Sequence, residues 1–112
     1  MADTAVKAQR KQVQRDRATV QAEALKVNNP NLSEADRTKA AELLSRTVLK
    51  GTGLAPEDTA SSQMLGKLTA ELVKSPGTVI ALGVSDTVKL KVSAADAATI
   101  TPKIVDRLKK LV

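Results

Sequence analysis

Val6, Val13, Val20 and Val27 recur every seven residues through the first quarter of the chain, set mostly among Ala, Gln, Lys, Arg and Glu. Those fillers are strong helix formers, and a seven-residue repeat keeps the valines on one slowly drifting stripe. The pattern predicts one long helix over residues 2–27. A coiled-coil seam needs a second apolar position per heptad. Here that position holds Gln9, Asp16 and Glu23, so the seam is half built. Ala18, Ala22 and Leu25 form a face, with Val20, Ala24 and Val27 beside it. Residues 18–27 are therefore expected to pack on the domain or a neighbour, and residues 2–17 to project as a docking arm.

Asn28-Asn29-Pro30-Asn31 ends that helix, because the residue before proline is pushed out of helical geometry. Ser33 to Asp36 reads as a capping box. It opens a helix from 34 to about 50 with Ala40, Ala41, Leu44 and Val48 inward, widened by Leu43. Gly51 is placed for a left-handed stop. Pro56, Glu57 and Asp58 signal another start. The third helix is expected from about 57 or 61 to 74, burying Met64, Leu65, Leu68 and Leu72, with Val73 at the margin. Residues 79–84 then form an apolar run, and Val88, Leu90 and Val92 alternate with polar neighbours. Period two implies strands, so a small β-hairpin is expected near 78–92. Ser93 repeats the capping pattern and implies a short helix from 94. Thr101-Pro102 reads as a fresh start, and the last helix, 102–111, turns Ile104, Leu108 and Leu111 inward against Lys103, Arg107 and Lys110.

The fold class implied is α+β, mainly α: three to four short helices packed on a small β-hairpin, preceded by a long N-terminal helical arm. Residues 1–28 would be the arm and 29–112 a compact domain.

Composition sharpens this. The chain has 112 residues and no Phe, Tyr or Trp. A core of Leu, Val, Ile and Ala lacks the large buried areas that aromatics supply. Small domains of this kind usually need a staple or a partner, which favours a homo-oligomer or a permanent partner in the same assembly. No cysteine is present, so no disulfide framework exists. Neither a signal-peptide stretch nor a membrane-length apolar run is found. A cytoplasmic or virion location without secretion follows as an expectation.

Net charge is +6, from 18 Lys/Arg against 12 Asp/Glu, and the excess lies at the two ends. Acidic partners follow from that balance. The residues expected to touch a partner or nucleic acid are Lys7, Arg10, Lys11, Arg15 and Arg17 on the first helix, and Lys103, Arg107 and Lys110 on the last. Lys89 and Lys91 read as protection of a strand edge.

Catalysis is not expected. The chain has no His and no Cys, which removes the commonest general base, the thiolate nucleophile and the main transition-metal ligands. No catalytic residue, metal site, cofactor or small-molecule substrate is assigned. Gly66-Lys67 fails as a phosphate loop, since Ser61 stands at the first glycine position and Leu68 follows the lysine. The function expected is structural: one subunit of a homo-oligomeric assembly, for example an accessory or connector component of a virus particle, docking through its basic N-terminal helix. The alternative is a small basic nucleic-acid-binding accessory protein. Without aromatics to stack bases, single-strand binding is disfavoured. Basic helices without Trp or Phe anchors are poor membrane binders.

Overall fold

The computed structural model describes residues 2–50, 52, 54–75 and 94–112, with the side chains of 7–50, 52, 54–75 and 102–112. Four helices are present among the described residues: α1 (Ala2–Val27), α2 (Glu34–Leu49), α3 (Thr59–Lys74) and α4 (Ala94–Leu111).

Each boundary has a local cause. Asn28 and Pro30 stop α1 as expected. Asn29 Oδ1 accepts from the Asn31 N–H at 2.9 Å, closing a tight turn, and the Asn28 side chain donates to the Ala70 carbonyl at 3.3 Å, tying the end of α1 to α3. Ser33 caps α2, its hydroxyl accepting from the Asp36 N–H at 3.1 Å. Asp58 caps α3 by accepting from the Ser61 N–H at 2.7 Å. A capping oxygen satisfies one of the four orphan N–H groups that open any helix.

The helices bury one common core. Val20 and Ala24 of α1, Leu44, Val48 and Leu49 of α2, Leu65, Ala70 and Leu72 of α3, and Ile104, Leu108 and Leu111 of α4 form a single cluster. α2 lies at its centre, packed against α1 and α3 most extensively and against α4 as well. The inward stripes expected for α2 and α4 are correct. On α3 the stripe is rotated: Leu65, Thr69, Ala70 and Leu72 are buried, Leu68 is half-buried, and Met64 is 41% exposed.

Gly66 explains that rotation. A Cβ built on it would collide with the Ala41 carbonyl oxygen and sit 2.7 Å from the Ala41 Cα. α2 and α3 thus touch backbone to backbone at Gly66 and the fully buried Ala41. The glycine read in the sequence as a failed phosphate loop is a contact point between helices.

The α+β class is corrected. Among the described residues there is no strand, and the core is helix on helix with no sheet beneath it. Four apolar stripes are enough to cover one another, so a hairpin is not needed to close the core. The six-residue alternation at 87–92 was too short a pattern to define the class against four longer helical stripes. The hairpin expected near 78–92 lies outside the described residues.

A second correction concerns α4. Thr101-Pro102 does not begin a new helix; α4 runs continuously from Ala94 to Leu111 with Pro102 inside it. Proline removes the bond to the carbonyl four residues back. The continuous helix forgoes that one link while Ile104, Leu108 and Leu111 hold its second half in the core.

Candidate functional site

The arm is shorter than expected. Among the side chains described, packing begins at Gln12 and Val13, both half-buried, and Asp16, Val20 and Ala24 are buried, with Val27 half-buried. Those positions are spaced three and four apart, as a single helix face requires. Lys7 to Lys11 are exposed on every side of the helix. The other expected face, Ala18, Ala22 and Leu25, is exposed, and Leu25 is 72% accessible.

An internal ion cluster selects the buried face. Asp16 is 4% exposed. Its carboxylate accepts from Arg107 Nη2 at 2.7 Å and from Gln12 Nε2 at 3.0 Å, and Lys50 Nζ lies 3.6 Å away. Burial pushes the Asp16 carboxyl up. The hydrogen bonds from Arg107 and Gln12, together with the charges of Lys50 and Arg107, outweigh burial and hold it below its ordinary value. Arg107 also donates to the carbonyls of Thr47, at 3.1 Å, and Val48, at 3.3 Å. Those carbonyls lie in the last turn of α2, where the negative end of the helix dipole welcomes a cation; the Thr47 carbonyl also accepts from the Lys50 N–H. One guanidinium thereby joins α1, α2 and α4.

The sequence placed Arg107 on a wet face among partner-contacting cations. Instead it is half-buried and committed to Asp16 and α2. Lys7, Arg10, Lys11, Arg15, Arg17, Lys103 and Lys110 are exposed. None of these seven forms an ion pair with another described residue. Three of them, Arg10, Arg17 and Lys110, line one open groove between α1 and the end of α4, together with Gln9, Val13 and Gln14. Sequence reasoning missed Asp16 and its role. The signal was present: an acid in the half-built seam is either a misfit or an ion-pair anchor.

The other grooves among the described residues mix signs. Between α1 and α2, Glu23, Asp36 and Glu42 alternate with Lys26, Lys39 and Arg46. Among the described residues no group of three or more acidic, His or Cys side chains is arranged to hold a metal, and no helix is long and apolar enough to cross a membrane.

Fold and surface together define a four-helix α protein, within the described residues, that carries a one-signed basic groove. Comparison with protein-family models, with curated proteins and with solved structures gives no match.

Proposed function

We propose that this chain is a non-enzymatic structural and interaction protein, one subunit of a homo-oligomeric assembly joined through its basic N-terminal helix. A ring, shell or connector, such as an accessory component of a virus particle, is the kind of assembly it suits. The supporting observation is the outer stripe of α1. Lys11, Arg15, Ala18, Ala22 and Leu25 follow one another at intervals of four, three, four and three residues, and all are exposed. That spacing puts them opposite the buried Val20. The stripe is about 21 Å long at 1.5 Å per residue, and its apolar half ends in the most exposed large hydrophobic residue described.

Its charge order favours one way of pairing two copies. Parallel helices would set Lys11 against Lys11 and Arg15 against Arg15. An antiparallel pair crossing between Ala18 and Ala22 sets each Arg15 beside the other copy's Leu25. The arginine stem then covers the leucine while its charged head stays in water. Alanines at the crossing allow close approach. The arrangement is two-fold symmetric, so this contact alone closes as a dimer, and a ring or shell would use that dimer as its building unit.

Light scattering on the full chain tests it. The expected result is a discrete oligomer that Leu25→Asp converts to monomer, with the helical circular dichroism of the chain unchanged. A monomer at millimolar concentration, or an oligomer indifferent to Leu25→Asp, excludes the reading.

A further inference from the structure

We infer that the groove between α1 and the end of α4 is a docking site for the phosphate backbone of double-helical DNA, engaged by Arg10, Arg17 and Lys110, with Lys7 one turn beyond the groove on the same flank of α1. This site is separate from the outer stripe of α1 and does not depend on it. Lys7, Arg10, Gln14 and Arg17 recur at intervals of three, four and three, which lays them in one row along the flank of α1. All four are exposed. Lys110 faces the row from α4, which is 93 residues further along the chain than Arg17 by number, so the fold assembles the cluster.

From Lys7 to Arg17 the row carries no exposed acid, while on α4 Asp106 lies one turn before Lys110. Between Lys7 and Ala22 the chain has a single acid, Asp16, and the fold draws that acid inward against Arg107 and Lys50. The remaining side chains of the groove are Gln9, Gln14 and Val13, which add amide donors and no anion. The row extends about 15 Å along the helix. A row of that length follows an extended polyanion, whereas a point anion needs converging donors.

Three features narrow the polyanion. No aromatic exists to stack an unpaired base, which disfavours single strands. Beyond Val13 the groove offers no apolar anchor of the kind that holds a protein partner. Residues 7–11 are all exposed, and a helix of about 10–12 Å diameter matches the roughly 12 Å major groove of B-form DNA. The deep, narrow major groove of duplex RNA would not admit it.

Fluorescence anisotropy with an end-labelled DNA duplex of about two helical turns measures binding to the full chain between roughly 50 and 200 mM salt. Four phosphate contacts give a slope of log affinity against log salt of about −3.6. The triple variant Arg10→Gln, Arg17→Gln, Lys110→Gln is expected to lose at least tenfold in affinity and to flatten the slope to about −0.9. The variant Lys39→Gln, Lys67→Gln, Lys74→Gln removes the same charge from exposed positions elsewhere and is expected to keep the slope. The Leu25→Asp chain is expected to retain the arginine dependence. Equal loss in both triple variants overturns the site. Tighter binding of poly-glutamate, of single-stranded DNA or of an RNA duplex than of the DNA duplex overturns its occupant.

Discussion

Asp16 carries a negative charge into the junction of three helices, where two cations and an amide meet it. Leaving Arg107 without that partner strands a half-buried guanidinium, a loss on the order of 1–3 kcal/mol. Asp16→Asn is expected to cost that much at neutral pH, measured by urea denaturation. The pH dependence has a definite sign. The folded carboxyl lies below its ordinary value, so its contribution is whole at neutral pH and fades as pH falls below about 4. Stability of the native chain should therefore drop through that acid range, and the Asp16→Asn chain should show a shallower drop. Identical acid slopes for the two would show that Asp16 is not held down. Gly66 is constrained for a different reason. Any Cβ there meets the Ala41 backbone, which has no rotamer to yield. Gly66→Ala is expected to destabilise by about 1–3 kcal/mol through forced separation of α2 and α3, although alanine is the better helix former at an exposed site. A rise in melting temperature would overturn the backbone contact.

Among the elements, α4 is where local signals and packing disagree. Thr101-Pro102 reads as a helix start, yet α4 passes through it. In the continuous helix Pro102 leaves a carbonyl one turn earlier without its usual donor. Pro102 is exposed, so no buried contact is lost on removing the ring. Pro102→Ala should then raise stability by about 1–3 kcal/mol. A neutral or lower value would restore the broken reading, in which proline opens a second helix. α1 through α3 were legible in the sequence because their ends carry side chains that act within four residues: Asn28 and Pro30, Ser33, Asp58. The inward faces of α2 and α4 were legible because their largest apolar residues recur at intervals of three and four, with Leu43 and Val105 only at the margins. The face of α1 was not. Two stripes of similar hydrophobicity compete there, and the choice is made by Arg107, which is 91 residues away from Asp16. The stripe of α3 was misread because Met64 is a larger hydrophobe than Gly66, while the close approach at Gly66 sets the helix rotation. Fold class went wrong on a period-two stretch of six residues, which weighs less than its regularity suggests.

For the whole molecule, the question is what a core without aromatics implies at working concentration. Buried residues of α1 to α4 make one cluster of Leu, Ile, Val and Ala, and a chain of this size buries a modest fraction of its surface. A second copy on the outer stripe of α1 would add burial of Leu25 at the position where the single chain leaves it in water. Dimerisation then stabilises by mass action, about 2.7 kcal/mol when free partner exceeds its dissociation constant a hundredfold. The melting temperature of the native chain is accordingly expected to rise by several degrees per hundredfold increase in protein concentration, given the roughly 4–8 °C per kcal/mol typical of a domain this small. Leu25→Asp should melt at the same temperature at every concentration. The lower limit of the native curve should meet the flat line of the variant, because a singly exposed surface leucine contributes little to the isolated fold. A variant that melts well below the dilute native chain would mean that Leu25 supports the monomer after all. A native curve as flat as the variant's would leave the outer stripe of α1 with no second copy to cover it.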